Sequence, residues 1–152
     1  MDESKIPILV GSGQINQCEH DLETALSPMD LTAAAGKKAT EDTGVGDNLL
    51  KSIDTIVLIR SFSDTSWRFK CPFGRYSNPP RSLANRLGAV NAKRHIYTHP
   101  GGNMPQWCVN RMFEMITRGE IEIGMIAGGE ALATQKNAQR KKIKLNWDED
   151  TG

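Results

Sequence analysis

An apolar repeat between Asn103 and Gly119 is the clearest pattern in the chain, and it predicts an amphipathic helix. Apolar side chains recur at intervals of three and four residues, with charged residues between them, at Met104, Trp107, Cys108, Met112, Met115 and Ile116. Asn103 is placed to cap the helix, Pro105 is tolerated in its first turn, and Gly119 is placed to end it.

Short strands are predicted on both sides of this helix. Residues His95–Thr98 are β-branched or ring-bearing and precede Pro100, Gly101 and Gly102, so a strand should stop there in a tight turn. Residues Ile121–Ala127 become nearly all apolar, as expected for a strand covered on both faces. Backbone N–H groups and the positive end of the helix dipole meet at such a glycine elbow. That arrangement suits an oxyanion or a thiolate.

The hydrophobic pattern elsewhere predicts more units of the same kind. Ile6–Val10 is predicted as a strand, and Ser27 begins a helix in which Pro28 takes the first position and Asp30 completes an S-x-x-D box. Ile53–Ile59 is β-branched and mostly apolar, which is typical of a central strand. Strands separated by helices predict an α/β fold with a mostly parallel sheet and right-handed crossovers.

The composition of the chain is typical of a globular domain and does not indicate a particular function. The chain has 152 residues with 38% hydrophobic and 24% charged residues, which is ordinary for one soluble domain. A net charge of +1 gives no general reason to expect nucleic acid or an anionic membrane as a partner. No apolar run approaches the roughly 18 residues that span a bilayer, and the start of the chain is acidic, so we expect a cytoplasmic protein.

The cysteines predict neither a disulfide framework nor a metal site. Cys18, Cys71 and Cys108 are odd in number and none of them forms a C-x-x-C pair.

Two blocks of sequence carry a family resemblance. The elbow, its helix, a glycine and a short strand lead into Ala127-Gly128-Gly129-Glu130, and a separate Asn78-Pro79-Pro80-Arg81 block starts a helix that should end at Gly88. This arrangement resembles the thiolases, from about Ile8 to Thr134. In that family a nucleophilic cysteine lies on the elbow, and the resemblance puts its position at Gly102. The chain therefore resembles a branch with Gly-Gly-Asn in place of the cysteine motif.

The resemblance implies a fold, a chemistry and an incomplete protein. It implies the N-terminal half of a thiolase fold over residues 1–134, followed by a basic then acidic tail over 135–152. It implies no cofactor, with a coenzyme A thioester as the possible substrate. A whole thiolase is more than twice as long, and its second half carries the catalytic histidine and the acid/base cysteine. We therefore expect a fragment of an acyltransferase that is not catalytic on its own, with Gly101, Gly102 and Asn103 forming the oxyanion elbow.

Two residues near the elbow offer another catalytic reading. Cys108 could be a nucleophile with His99 as its base, but Cys108 falls about five residues into the helix, roughly 7 Å along its axis. A buried thiol packed beside methionines is the favoured reading of Cys108, and an ordinary turn residue is at least as good a reading of His99.

Three further segments leave alternatives open. Gly11-Ser12-Gly13 suggests a dinucleotide loop, yet the third glycine is absent, and a plain exit from a strand is favoured. The loop Ser61–Ser77 mixes aromatic and basic residues that could stack bases, hold coenzyme A phosphates or pack on a second subunit, and we favour the subunit contact. A basic run is typical of a solvated flank, although it could bind an anion; it comprises Lys136, Arg140, Lys141, Lys142 and Lys144.

Two classes of function follow. In the first, the chain is part of a thiolase-like acyltransferase that positions an acyl thioester at the elbow. In the second, it is a non-catalytic module that forms a homodimer or joins another thiolase-type chain. A small nucleic-acid binder is a distant third reading, which a steep salt dependence would reveal.

Overall fold

Three parallel strands lie at the centre of the part of the chain that the structure describes. The structure is a computed structural model that describes residues 5–17, 21–22 and 24–152, so Cys18 lies outside the described residues. In chain order the elements are α1 (Pro28–Asp42), α2 (Asp47–Ser52), β1 (Thr55–Leu58), α3 (Pro79–Leu87), β2 (Arg94–Tyr97), α4 (Met104–Thr117), β3 (Gly124–Ala127) and α5 (Leu132–Lys141). Two short 3-10 turns, Phe62–Asp64 and Trp67–Phe69, lie between β1 and α3.

The strands are ordered β2-β1-β3, and both pairs are parallel. Leu58 at the end of β1 lies beside Tyr97 of β2 and Ala127 of β3, so the carboxyl ends of all three strands lie along one edge. The chain passes through α3 between β1 and β2, and through α4 between β2 and β3. The predicted α/β fold with a parallel sheet and crossover helices is confirmed.

The sheet separates two apolar cores because successive residues of a strand face opposite sides. Ile56 and Leu58 of β1 belong to a core shared with α1 and α3, and Val57 between them belongs to a core with α4. All four residues of β1 are buried, which confirms the prediction of a central strand.

The predicted starts of the helices agree with the structure at two sites and differ at a third. Ser27 Oγ accepts the Asp30 N–H at 3.1 Å and donates to the Asp30 carboxylate at 2.6 Å, so the S-x-x-D box is formed. Asn78 Oδ1 accepts the Arg81 N–H at 3.3 Å at the start of α3. Asn103 occupies the cap position of α4, but its side chain makes no capping hydrogen bond.

The prediction of a strand over Ile6–Val10 is wrong. A strand needs hydrogen bonds to a neighbouring strand, and no described strand pairs with this segment. The residues that follow explain its path, because Gly11 and Gly13 press directly on the backbone of α1. A Cβ added to either glycine would stand 2.3 Å from a carbonyl oxygen of α1. These contacts hold the segment against the helix, and Ile8 and Leu9 remain exposed.

The last strand is shorter than the sequence predicts. Only Gly124–Ala127 pairs with β1, while Ile121 packs into the core beneath α4. The N–H groups of Glu122 and Ile123 bind the Asp54 carboxylate, at 2.7 Å and 3.3 Å respectively. The Asp54 side chain therefore accepts hydrogen bonds that a neighbouring strand would otherwise accept, and β3 begins only at Gly124.

The segment after Thr134 has structure that the sequence did not reveal. Helix α5 runs across the predicted boundary at residue 134, and the chain from Trp147 onward lies along the loop that precedes α3. Trp147 N–H donates to the Phe73 carbonyl at 2.7 Å and Glu149 N–H to the Arg75 carbonyl at 3.0 Å. The division of the chain at residue 134 stays a prediction.

Candidate functional site

The glycine elbow lies between the end of β2 and the start of α4. The Met104 N–H donates to the Gly101 carbonyl at 3.1 Å, which closes a turn, and Gly101 has a φ of 155° that side-chain-bearing residues rarely adopt. Among the described residues, no acceptor meets the N–H groups of Gly102 and Asn103. Gly102 and Asn103 are both exposed, and these two N–H groups lie at the N-terminal end of a 14-residue helix.

Gly102 occupies an open position. Apart from its chain neighbours, no described residue has an atom within 4 Å of a Cβ built on Gly102, and its φ does not lie in the left-handed region. A side chain can therefore stand at the position where the thiolase resemblance expects the nucleophilic cysteine. Neither steric contact nor backbone conformation explains the glycine found there.

The strand that enters the elbow is tied to the chain after β1. Arg60 N–H donates to Thr98 Oγ1 at 3.0 Å, and Arg60 Nε donates to the Thr98 carbonyl at 2.8 Å. Thr98 itself is buried. These bonds fix the point from which the chain turns into the elbow.

Tyr97 links the same strand end to the loop after β1. Its hydroxyl donates to the Asp64 carboxylate and accepts the Ser61 N–H at 3.3 Å, and the Arg60 guanidinium stands 4.5 Å from the centre of its ring. Burial, together with the neighbouring Asp64 carboxylate, raises the pKa of Tyr97 to about 12. The phenol is therefore held neutral and acts as a hydrogen-bond donor.

The Ala127-Gly128-Gly129-Glu130 block has a clear packing role. A Cβ on Gly128 would stand 3.2 Å from the Ile59 side chain, and a Cβ on Gly129 would stand 2.3 Å from Thr32 Oγ1 of α1. The glycines thus allow close contact between the end of β3, the chain after β1 and α1. Glu130 accepts the Phe62 N–H, and burial raises the pKa of its carboxyl.

Cys108 and His99 are not brought together as a catalytic pair by any observed contact. Cys108 is buried in the core under α4 with Met112 and Met115, and burial raises the pKa of its thiol. His99 is exposed. The packing favours a structural thiol, because a nucleophilic cysteine needs a lowered pKa and access. Their catalytic role stays an untested prediction.

The aromatic and basic loop before α3 is divided between surface and interior. Trp67 is 83% exposed, and the Phe62 and Phe69 rings lie 4.2 Å apart on the surface. Phe73 instead packs edge-on against Trp147 at 5.5 Å. One part of the loop is therefore exposed, and another part packs against the C-terminal segment. Its predicted subunit contact stays a prediction.

The described residues contain no candidate metal cluster and no candidate membrane-spanning helix. No group of three or more histidine, cysteine, aspartate or glutamate side chains there could hold a metal ion. No helix in that part of the chain is long and apolar enough to cross a bilayer. Lys136, Arg140 and Lys141 of the basic run lie along α5, and all three are exposed.

A comparison with solved structures finds a likeness to a monomeric SCP2-thiolase like protein type 1 from Mycobacterium smegmatis, with a TM-score of 0.68 and 27% sequence identity. The fold is thiolase-like. The likeness covers 85% of this chain and 24% of the other, so this chain spans about a quarter of that protein's length. No protein-family model and no curated protein sequence matches the chain.

The likeness supports the sequence resemblance at the level of the fold. Because the neighbour is described as monomeric, it lends no support to the predicted homodimer. The contacts made by Tyr97, Asp64 and Glu130 were missed by sequence reasoning, since each joins residues more than 30 positions apart. The polar residues just after the strand ends were the only available signal for them.

Proposed function

We propose that this chain is the N-terminal portion of a thiolase-like protein of the branch with Gly-Gly-Asn in place of the cysteine motif. In this proposal it binds an acyl thioester of coenzyme A at the elbow and forms no acyl-enzyme by itself. The observation that carries the proposal is Gly102, an open glycine beside two unpartnered N–H groups at a helix N-terminus. Such donors stabilise a polarised carbonyl oxygen.

The physical argument separates binding from covalent catalysis. The N–H groups of Gly102 and Asn103 have no described acceptor, so a thioester carbonyl would supply one. The covalent route needs a thiolate at that point, and glycine has no side chain to provide it. In this proposal a further chain or segment supplies the second catalytic half that the family has. Residues 1–134 are the thiolase-like portion of this chain.

Restoring a cysteine tests the proposal directly. Gly102→Cys should fold normally, because a Cβ there meets no described residue other than its chain neighbours, and the thiol should react with iodoacetamide faster than Cys71 or Cys108. Mass spectrometry after incubation with acetyl-CoA should find an acetyl group on residue 102 of the variant and no adduct on the unchanged protein. Cys108→Ser in both backgrounds is the matched control.

Two results would contradict this account. An acetyl group on Cys108 of the unchanged protein would make it an enzyme with a displaced nucleophile. If Gly102→Cys folds but is no more reactive than Cys71, the elbow does not activate a thiol and the assignment of the site fails.

The alternative is a non-catalytic module that joins another thiolase-type chain. Its support is the exposure of large apolar side chains, notably Trp67, and Trp107 and Phe113 on the outer side of α4. Native mass spectrometry separates the two proposals. Bound acetyl-CoA supports the first, while a complex with a thiolase-type chain that forms without any acyl ligand supports the second.

A further inference from the structure

A cavity lies beyond the carboxyl ends of β1 and β2, apart from the glycine elbow. Leu58 and Tyr97 end the two strands at its base, and the loop Ser61–Tyr76 covers it. Its volume is about 260 Å³. In open parallel sheets, ligands bind outside the carboxyl ends of the strands.

The walls of this cavity are rich in aromatic rings. Trp67, Tyr76, Tyr97 and Trp147 all line it. Trp147 is brought there by the C-terminal segment, whose backbone bonds to Phe73 and Arg75. A cavity of about 150 Å³ suffices for benzene, so this one has room for a single aromatic ring with a short substituent.

Two cationic side chains stand where the cavity opens. Lys70 and Arg75 line both the cavity and a second, outer cleft, and both are exposed. Among the described residues, neither side chain forms a salt bridge.

Two carboxylates lie nearby, and both already accept hydrogen bonds. Asp64 accepts the Tyr97 hydroxyl, and Asp148 of the outer cleft accepts the Arg75 N–H at 3.0 Å. Among the described residues, by contrast, the Lys70 and Arg75 side chains make neither a hydrogen bond nor a salt bridge, so they are the charged groups there with free hydrogen-bond donors.

We propose that this cavity binds a small aromatic carboxylate. Its ring lies among Tyr76, Tyr97 and Trp147, and its carboxylate is held by Lys70 and Arg75 at the opening. Stacking on aromatic faces and pairing with unpartnered cations supply the two recognition elements. The site does not involve Gly102, so a test of this site is independent of the proposed function.

Three probes of similar size and different charge test the proposal by isothermal titration calorimetry. They are phenylacetate, 2-phenylethanol and 2-phenylethylamine. Phenylacetate should bind with a Kd of about 0.1–1 mM, as expected for a ligand of this size, and at least tenfold more tightly than either analogue. Binding should also change the fluorescence of a Trp107→Phe protein, because both remaining tryptophans line the cavity.

Variants of the cations provide the control. The double variant Lys70→Gln and Arg75→Gln should weaken phenylacetate binding at least fivefold and leave binding of the alcohol unchanged. Arg140→Gln with Lys141→Gln removes the same charge from exposed residues of α5 and should change neither affinity.

Several outcomes would overturn the proposal. Equal affinity for all three probes, tighter binding of the amine, or no binding at all would each contradict it. Unchanged phenylacetate affinity in the Lys70 and Arg75 variant would do so as well. Circular dichroism of each variant excludes loss of the fold as the cause of weaker binding.

Discussion

At the scale of single residues, Tyr97 shows how burial and one neighbour set the chemistry of a side chain. Its hydroxyl donates to Asp64 and its ring lies beneath Arg60, at the strand end that leads into the elbow. Burial and the Asp64 carboxylate raise its pKa to about 12, so the neutral phenol is favoured in the folded protein. The stabilisation is complete below the unfolded pKa near 10 and is lost as the pH rises toward 12.

We expect Tyr97 to titrate late in a near-ultraviolet absorbance titration. Burial also raises the pKa of Tyr76, the other tyrosine in the sequence, so both should ionise above the ordinary value. Tyr97→Phe should remove the step at highest pH. Asp64→Asn should move that step down, because the carboxylate charge no longer opposes the phenolate. A Tyr97 step near pH 10 in the folded protein would refute the hydrogen-bonded pair.

At the scale of elements, the starts of the helices differ in how the cap residue works. Ser27 exchanges two hydrogen bonds with Asp30 at the start of α1, whereas Asn103 holds the cap position of α4 without a capping bond. At both sites the sequence places a residue that commonly caps helices just before the first helical residue. Only the first cap contributes hydrogen-bond energy to its helix.

Alanine variants of the two caps should therefore differ in stability. Ser27→Ala should lower the free energy of unfolding by about 1 kcal/mol, the usual cost of a lost N-cap. Asn103→Ala should cost less than about 0.5 kcal/mol, because no capping bond is removed. Urea denaturation measures both. Equal costs would show that Asn103 caps α4 in solution.

The glycines of this chain differ in how closely other segments approach them. Gly13 presses on α1, where a Cβ would meet the Ala35 carbonyl oxygen at 2.3 Å, and Gly102 has open space around it. The Gly11-Ser12-Gly13 motif thus has a packing explanation that needs no dinucleotide.

We expect Gly13→Ala to destabilise the protein by about 1–3 kcal/mol, as overpacking does. Gly102→Ala should stay within about 0.5 kcal/mol of the unchanged protein, since nothing obstructs its side chain. Thermal and urea unfolding of both variants test the contrast. A neutral Gly13→Ala would mean that this segment can move off α1 at little cost.

At the scale of the whole molecule, Arg86 of α3 joins distant parts of the chain. It pairs with Asp30 of α1 at 2.7 Å and with Glu149 of the C-terminal segment at 2.5 Å. Burial alone would raise the pKa of Asp30, but hydrogen bonds from Ser27 and Arg86 and the charge of Arg86 outweigh it and lower that pKa. The resulting stabilisation is present above the unfolded pKa and is lost as the pH falls through the folded value.

Arg86→Met should lower the free energy of unfolding by about 1–2 kcal/mol at neutral pH, because two carboxylates lose a shared partner. The part of the loss that comes from the Asp30 pair should shrink as the pH falls below 3.8, the ordinary pKa of that carboxyl, toward its lowered value in the folded protein. Arg111→Met is the matched control, since the one described residue that pairs with Arg111 is Glu114, on the surface of its own helix. Urea denaturation at neutral and acid pH should find little effect of that control. An Arg86 effect independent of pH would contradict the ionic explanation.

The sequence by itself determined the features that depend on near neighbours in the chain. The apolar periodicity of α4, the S-x-x-D box of α1, the Asn78 start of α3 and the buried run of β1 were all readable, because local hydrogen bonds and alternation of faces follow from spacing. Together with the two family-like blocks, these features predicted an α/β thiolase-like fold, which the structure and its likeness to a solved protein support.

Only the tertiary structure decided what depends on packing between distant segments. It placed Arg86 beside Asp30, 56 positions away, and Tyr97 beside Asp64, and it laid Trp147 against the loop before α3. It also kept Ile6–Val10 out of the sheet. A sequence pattern carries no such information, because a polar side chain takes its partner, and an apolar segment its neighbour, from whichever parts of the chain the fold brings together.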